Sequence, residues 1–369
     1  MRVLMVAPRI GTPWTEGRKK WFLDLCQETI GRWDVVALIT VDDGESSELP
    51  VVTEEYVTKS GWQHLASIRS NLAGAIRKHR PDLVCHFPFG VFSGLRGLAN
   101  IWSISYVERY CKSIKIPCCT LMYSLTRGAD NPFYRRVLKR AYLNQHGASN
   151  RTVRFGVKLQ KVHPSHSSNE TRLEKNILFM AGLAEENDER LDYALDVRGL
   201  RFLLRAGARL QERGYRLIIA IPLLRNKRLR ERLVNEKDNR WVSNSIEFCE
   251  VLPFPDIYRR THVFAFPYAS EELQFVPTSI IEAMHFSVPV ILPKLDFLAP
   301  FYEVGGRVLA YEKDDIDSFI AQLELLENSK YLNALRTKAT AFVECEYNIQ
   351  NSISDIEKLY RANSYRSNN

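Results

Sequence analysis

Two successive series of short apolar segments, separated by a polar stretch, most strongly constrain how this chain can fold. The apolar runs of the first series alternate with helical patterns and span 2–7, 34–41, 81–86 and 116–122. The apolar runs of the second series also alternate with helical patterns and span 176–182, 216–221, 246–252, 263–267 and 289–292. Such alternation is typical of parallel α/β sheets. The sequence therefore predicts two doubly wound α/β domains in tandem.

The length of the chain agrees with two domains, because 369 residues correspond to about two domains of ordinary size. Residues 144–175 are polar and contain no long apolar run, so we place the domain boundary there. We predict an N-terminal Rossmann-like domain at 1–165 and a C-terminal one at 166–346. The segment 347–369 is predicted to be a helix that crosses back to the first domain, followed by a polar tail.

Composition limits the partners and the compartment. Lys and Arg total 51 against 43 Asp and Glu, and this excess favours an anionic partner such as a nucleotide or a lipid head group. No helix-turn-helix, RNP-type or zinc motif is present, so nucleic acid is not an expected partner. The seven cysteines form no Cys-x-x-Cys pair and are expected to be reduced. No signal-peptide or membrane-spanning pattern occurs, which predicts a cytoplasmic location.

The most informative motif places a carboxylate one turn after a helix start. Pro277 suits the first position of a predicted helix. The backbone N–H groups of Thr278, Ser279 and Ile280 would then be unpaired at the positive end of the helix, which is an anion site. Glu282 lies on the same face and could accept both hydroxyls of a ribose. The motif predicts a nucleotide diphosphate site, and an ordinary helix start with an exposed glutamate is the alternative.

This motif resembles the retaining, nucleotide-sugar-dependent glycosyltransferases of the GT-B fold. Their hallmark is Glu-Gly-Phe-Pro followed by a short apolar helix and Glu-Ala-Met. Residues 274–284 of this chain align with this motif, and their sequence is Gln-Phe-Val-Pro-Thr-Ser-Ile-Ile-Glu-Ala-Met. The resemblance implies two Rossmann-like domains that face each other across a cleft. It also implies a UDP- or GDP-sugar donor on the C-terminal domain and an acceptor glycan or glycolipid on the N-terminal domain.

The resemblance implies residue roles as well. Glu282 matches the glutamate that holds the ribose, and Thr278 and Ser279 match the backbone donors to the diphosphate. Arg198 matches the cation that binds the diphosphate, although a solvated arginine is the alternative. The loop Gly11–Gly17 matches the glycine-bearing loop that approaches the donor, and a plain turn is its alternative. Transfer is expected to retain configuration, to need no metal or cofactor, and to serve cell-envelope polysaccharide or glycolipid synthesis.

Three positions depart from the family pattern. Gln274 stands where the family has the glutamate that contacts the sugar, and glutamine keeps hydrogen bonding but lacks the charge. Tyr123 stands about where many members carry a histidine, and Leu183 stands where an arginine is usual. These changes leave open a non-catalytic GT-B protein that binds a nucleotide or a partner. A nucleotide-sugar epimerase of similar fold is a third alternative, whereas no G-x-G-x-x-G motif supports a dehydrogenase.

Two features of the N-terminal half add candidates. His86 ends a predicted strand and is a candidate base for the acceptor hydroxyl, with a packed or solvent-facing histidine at a strand end as the alternative. Residues 131–143 form a basic amphipathic pattern that would present Arg135, Arg136, Lys139 and Arg140 on one side. Such a helix suits an anionic membrane surface at its inner face or a phosphorylated acceptor. A solvated basic face explains the pattern equally well.

Overall fold

In the computed structural model, the chain forms two α/β units, each with its own parallel sheet. Contacts group Met1–Lys158, Glu272–Val276 and Glu346–Asn369 into the first unit, and Leu159–Glu271 and Pro277–Cys345 into the second. The structure describes residues 1–10, 17–43, 47–58, 61–88, 94–122, 124–126, 142–143, 156–159, 175–180, 192–220, 231–233, 235–236, 239–241, 245–249, 256–271, 273–275 and 277–367. Compared with the predicted domains, the first unit therefore also includes the short segment 272–276.

The first unit is built on a six-stranded parallel sheet. Its strands in chain order are β1 (Arg2–Ala7), β2 (Asp34–Asp42), β3 (Val52–Thr58), β4 (Leu83–His86), β5 (Cys118–Met122) and, after the short strand β6 (Ser124–Thr126), β7 (Tyr142–Leu143). Their order across the sheet is β3-β2-β1-β4-β5-β7. Central parallel strands are covered on both faces, which explains why β1 and β4 are apolar along almost their whole length.

Helices cover this first sheet. They are α1 (Gly17–Glu28), α2 (Gly61–His79) and α3 (Gly94–Ser113). The core between the sheet and two of these helices includes Leu4 and Leu38 from the strands, Leu72 from α2 and Val107 from α3, all buried. Burial of each such side chain contributes about 1.5–3 kcal/mol of transfer free energy, so the apolar face of α2 fixes its place on the sheet.

The second unit repeats the same strand order. Its strands are β8 (Lys175–Met180), β9 (Tyr215–Ala220), β10 (Ile246–Cys249), β11 (Val263–Ala265), β13 (Val290–Pro293) and β14 (Leu309–Tyr311), and they are arranged as β10-β9-β8-β11-β13-β14. All described pairs in this sheet are parallel. Parallel strands need crossover connections, so this order is that of a doubly wound Rossmann-like fold, as predicted.

The remaining strand and the other helices complete the two units. Strand β12 (Leu273–Phe275) pairs antiparallel with β6 in the first unit. The helices of the second part of the chain are α4 (Leu200–Arg205), α5 (Gly207–Glu212), α6 (Asp256–Arg259), α7 (Thr278–His285), α8 (Ala299–Tyr302), α9 (Ile316–Glu324), α10 (Ser329–Glu346) and α11 (Ile349–Ser367). A π-helix spans Tyr193–Val197, and 3-10 turns span Asp296–Leu298 and Leu325–Glu327.

The C-terminal helix α11 belongs to the first unit. Glu357 on this helix accepts two hydrogen bonds of 2.7 Å from the Arg32 guanidinium and one of 3.0 Å from Trp33 Nε1. The segment before α11 is also fixed by its backbone, because Ile349 N donates to Val157 O at 3.0 Å. A side chain on Gly156 would come within 2.6 Å of the Ile349 backbone, so only glycine fits at this crossing.

Some elements differ from the sequence prediction. The helical pattern between the apolar runs at 176–182 and 216–221 is not one helix but a π-helix followed by α4 and α5, because Gly199 has a positive φ of 79° that interrupts the helix. Strands β3, β6, β7, β12 and β14 were not predicted, and β7 occupies the last two residues of the segment 131–143, where a helix was predicted. Among the described residues, no helix is long and apolar enough to cross a membrane. All seven cysteines lie among the described residues, none of them forms a disulfide, and five are buried.

Candidate functional site

The candidate site lies at the carboxyl ends of β8 and β11 in the second unit. These two strands are neighbours in the sheet, but the chain continues from β8 to one side and from β11 to the other. In doubly wound folds, a ligand binds where the strand order reverses in this way. The loop after β11, which includes Pro267 and Tyr268, begins at this edge of the sheet, and helix α7 follows it later in the chain.

Helix α7 begins one residue later than predicted. Pro277 is its N-cap, with φ −68° and ψ 116°, and not its first helical residue. The extended ψ directs the Pro277 carbonyl at the helix, where it accepts a hydrogen bond of 3.1 Å from Ile280 N. The expectation of a free Ile280 N–H was therefore wrong. For the N–H groups of Thr278 and Ser279, none of the described residues provides an acceptor.

Glu282 lies one turn into α7 and is buried. Only 8% of its surface is exposed, so the alternative of an exposed glutamate at an ordinary helix start does not apply. The Tyr258 hydroxyl, on α6, donates a hydrogen bond of 3.3 Å to Glu282 Oε2. Burial raises the pKa of Tyr258 above its usual range, so the hydroxyl stays protonated and acts as a donor. The same hydroxyl lies 3.7 Å from the sulfur of Met180, the last residue of β8.

Arg198 is held against the loop that follows β11. The next residue, Gly199, has φ 79°, and a Cβ atom there would lie 1.6 Å from Pro267 O. Nearby, Ala269 N donates a hydrogen bond of 3.0 Å to Val197 O. This close approach requires glycine, so the backbone around Arg198 and the loop after β11 are fixed to each other.

The Arg198 guanidinium lies beside two tyrosine rings. Its central carbon is 5.6 Å from the ring centres of Tyr193 and Tyr268, within the range of cation–π attraction. Its Nε atom is buried, and no described residue accepts a hydrogen bond from it. Because aromatic faces attract a cation without neutralising it, these two rings leave the positive charge of Arg198 in place.

The two other candidate catalytic residues that the structure describes belong to the first unit. His86 is the last residue of β4 and is fully buried between Val6 of β1 and Thr120 of β5. This burial agrees with the packed histidine that was its alternative. Gln274 lies in the middle of β12, where its backbone pairs with Leu125 of β6.

The other residues predicted for the site lie either in the first unit or outside the described residues. Gly17 is the first residue of α1. The positions that lie outside the described residues are Gly11, Tyr123, Leu183, Arg135, Arg136, Lys139 and Arg140. In the part of the chain that the structure describes, no group of three or more His, Cys, Asp or Glu side chains could hold a metal ion.

Sequence reasoning missed the three tyrosines of the site. Tyr268 follows the strand end Phe266-Pro267 directly, and its place after a strand of the second sheet is a signal that could have identified it. Tyr193 and Tyr258 lie in helical segments without any motif. Only the folded chain brings Tyr193 to Arg198 and Tyr258 to Glu282.

Solved structures share this architecture over nearly the whole chain. Sucrose-phosphate synthase from Thermosynechococcus elongatus is 13% identical, with a TM-score of 0.69 and 98% of each chain covered. HepE from Anabaena in complex with UDP is 14% identical, with a TM-score of 0.68 and coverage of 98% of this chain and 100% of that chain. A protein described as a UDP-N-acetylglucosamine 2-epimerase from Listeria monocytogenes is 15% identical, with a TM-score of 0.58 and coverage of 100% and 97%. None of the curated proteins matches the sequence.

The likeness to these structures, together with the two sheets, defines a protein of the GT-B fold. Residues 174–328, which include Arg198, Thr278, Ser279 and Glu282, match the family model of the group 1 glycosyl transferases. This match covers the second part of the chain and confirms there the resemblance stated from the motif around Glu282.

Proposed function

We propose that the second unit binds a nucleotide-diphosphate sugar and that the protein transfers this sugar, with retention, to a hydroxyl of an acceptor bound by the first unit. The observation that carries the proposal is the geometry at α7. The N–H groups of Thr278 and Ser279 point out of the positive end of a helix, and the buried carboxylate of Glu282 follows one turn later. Phosphate binding at a helix N-terminus needs only such N–H groups and the helix dipole.

The arrangement supports leaving-group stabilisation. When the bond between sugar and nucleotide breaks, negative charge grows on the diphosphate. The Arg198 guanidinium and the N–H groups of α7 carry positive charge and are fixed in position before the reaction, so they would stabilise that charge without reorganisation. We propose that they do so without a metal ion. Glu282 would accept hydrogen bonds from the ribose hydroxyls and set the register of the diphosphate on the helix.

Gln274 is proposed to contact the transferred sugar. Its amide can donate and accept hydrogen bonds but carries no charge, so it would select for sugar hydroxyl geometry and would not stabilise a positive reaction centre. The protein would therefore retain transfer activity while accepting a different sugar from relatives that carry glutamate at this position.

The acceptor is proposed to be a glycan or glycolipid of a cell-envelope pathway. Two features support attraction to an anionic membrane surface or to a phosphorylated acceptor. They are the net charge of +8 and the basic residues of the segment 131–143. Vesicle co-sedimentation tests this part separately, with vesicles of anionic and of zwitterionic lipid. Binding to anionic vesicles that salt abolishes is the expected result, and equal sedimentation with both compositions would contradict it.

Thermal shift and donor hydrolysis test the proposed activity. UDP, GDP and their sugars are added separately, and the melting temperature should rise with one nucleotide, because a ligand that binds only the folded state stabilises it. The same donor should then be hydrolysed slowly to nucleoside diphosphate and a sugar of retained configuration, with unchanged rate in EDTA. Stabilisation without turnover favours the non-catalytic alternative, and an inverted C2 centre in the recovered sugar nucleotide favours the epimerase.

A further inference from the structure

We propose that Tyr193 and Tyr268 are positioning residues that fix the Arg198 guanidinium for the diphosphate of the donor. This inference rests on the proposed donor site and adds two residues that neither the motif nor the family match assigns. It starts from an unusual piece of backbone, because Arg198 directly follows a π-helix that spans Tyr193–Val197. π-Helical turns are rare and occur often at functional sites.

The π-helix brings Arg198 onto the ring of Tyr193. Arg198 N donates a hydrogen bond of 2.9 Å to Tyr193 O, five residues earlier. The wider turn places the two side chains on one face, with the guanidinium carbon 5.6 Å from the ring centre of Tyr193. In an ordinary α-helix, neighbours on one face are three or four residues apart, so the π turn is what pairs these two residues.

The second ring is fixed more rigidly. Tyr268 is only 1% exposed, stacks on Phe266 with ring centres 5.2 Å apart, and meets Phe297 edge-on at 5.8 Å. Its hydroxyl shares a hydrogen bond of 2.6 Å with the hydroxyl of Tyr193. The Tyr268 ring is therefore held in place by its packing. The hydrogen bond between the two hydroxyls holds the half-buried Tyr193 ring beside it. Arg198 lies against both rings at the same distance of 5.6 Å.

The neighbouring acidic groups are already paired with other arginines. Arg201 binds Asp196 at 2.7 Å and Glu236 at 2.6 Å, and Arg232 pairs with Asp192. None of the described carboxylates forms an ion pair with Arg198. The acidic residues closest to Arg198 in sequence are therefore paired with other arginines. The Arg198 guanidinium lies instead against the two tyrosine rings.

This arrangement has a clear consequence for an anion. A carboxylate partner would neutralise the guanidinium and would have to be displaced by the diphosphate, whereas an aromatic face leaves the charge in place. Fixing the side chain beforehand also reduces the conformational entropy that binding would otherwise cost. Tyr193 and Tyr268 would therefore increase affinity for the diphosphate through Arg198, without touching the donor themselves.

A double-mutant cycle on UDP and GDP binding tests the proposal by calorimetry. Tyr193→Leu should weaken binding by about 2- to 30-fold, the range of one cation–π contact. The same change on an Arg198→Ala background should have almost no further effect, because Tyr193 acts through Arg198. Tyr193→Phe keeps the ring and should restore most of the affinity. Tyr268→Phe removes the same shared hydrogen bond and also keeps its ring, so its affinity should match that of Tyr193→Phe.

A matched control is available in the same unit. Arg307 lies 4.0 Å over the half-buried ring of Phe342, so Phe342→Leu removes a comparable contact outside the candidate site. This variant should lose some stability and bind nucleotide with wild-type affinity. Equal losses of affinity in Phe342→Leu and Tyr193→Leu would mean that general destabilisation explains the result, which would overturn the positioning role.

The outcomes separate this inference from the proposed function. If neither UDP nor GDP binds the wild type, the proposed donor site fails and the positioning role falls with it. If one binds and Arg198→Ala leaves the affinity unchanged, the donor site stands and the positioning role is overturned. Additive effects of Tyr193→Leu and Arg198→Ala would also overturn it, because Tyr193 would then act independently of Arg198.

Discussion

The Tyr258 hydroxyl donates a hydrogen bond of 3.3 Å to Glu282 Oε2, and both side chains are buried beside the end of β8. The hydroxyl occupies one lone pair of one carboxylate oxygen. A carboxylate has about four acceptor positions, so one hydrogen bond from Tyr258 is compatible with the proposed binding of the ribose hydroxyls to Glu282.

Replacement of Glu282 by Gln tests the ribose contact. The amide keeps the shape of the side chain but loses the charge, so nucleotide affinity should fall by about 10- to 100-fold, as expected for charge-assisted hydrogen bonds. Calorimetry with UDP and GDP measures the change. Glu303→Gln alters an exposed glutamate of the same unit and should bind like the wild type. Wild-type affinity of Glu282→Gln would mean that the ribose lies elsewhere.

The backbone donors at the start of α7 can be removed singly. Thr278→Pro deletes one N–H group at the first helical position, where proline is tolerated, and Pro277 already has the extended ψ of 116° that precedes proline. Nucleotide affinity should fall by about 10- to 100-fold with the fold intact. Thr278→Ala keeps the N–H and removes only the side chain, so it should stay within about 2-fold of the wild type. Equal affinity of the two variants would argue against backbone recognition of the diphosphate.

Two glycines with the same backbone conformation separate strain from close contact. Gly199 and Gly214 have φ of 79° and 78°, but an added Cβ would meet Pro267 O at 1.6 Å in the first and nothing within 4 Å in the second. Gly214→Ala should cost about 1–2 kcal/mol of unfolding free energy from the left-handed conformation alone. Gly199→Ala should cost more than about 4 kcal/mol or displace the Arg198 loop and abolish nucleotide binding. Urea denaturation measures both, and equal losses would contradict the contact with Pro267.

The charge at position 274 can be restored to the family pattern. Gln274→Glu should change the rate of donor hydrolysis or the preferred sugar, because a carboxylate accepts hydrogen bonds but does not donate them. The measurement compares hydrolysis of a panel of UDP- and GDP-sugars by the wild type, Gln274→Glu and Gln274→Ala. Identical profiles for all three would mean that this side chain does not face the sugar.

The ion pair of α11 predicts a pH dependence of stability. Arg32 lowers the pKa of Glu357 below its usual value of 4.5, so the pair stabilises the folded state above about pH 4.5. This contribution is lost as the pH falls through the lowered pKa of the folded state. Glu357→Gln should therefore cost roughly 1 kcal/mol between pH 5 and 8, and the difference from the wild type should shrink at lower pH. Urea denaturation across this range measures it, with Glu344→Gln as an exposed control. A difference that does not change with pH would exclude the ion pair as its cause.

The sequence predicted those parts of the fold that depend on local patterns. The apolar runs identified strands such as β1, β4, β8 and β9, and the order of the motifs placed α7 after β11. Edge strand β3 was missed because the adjacent Glu54 and Glu55 interrupt it, so no apolar run marks it. Strand β12 was missed because three residues pair only with the distant β6, and such long-range pairing leaves no local pattern.

The candidate site was predicted where one helix supplies several groups at fixed spacing. Thr278, Ser279 and Glu282 share one turn of α7, so the helical repeat alone sets their relation. The aromatic surroundings of Arg198 come from a π turn and from a loop that is distant in sequence. No periodic sequence pattern predicts a π turn. The close approach of Gly199 to the Pro267 carbonyl depends on how two separate segments pack against each other. These features therefore required the folded structure.

A crystal structure with UDP or GDP bound would show directly whether the start of α7 binds the diphosphate. The diphosphate oxygens should accept hydrogen bonds from the N–H groups of Thr278 and Ser279. The ribose hydroxyls should donate hydrogen bonds to Glu282. Density for the nucleotide at any other place, with the start of α7 empty at saturating ligand, would mean that α7 does not form the donor site.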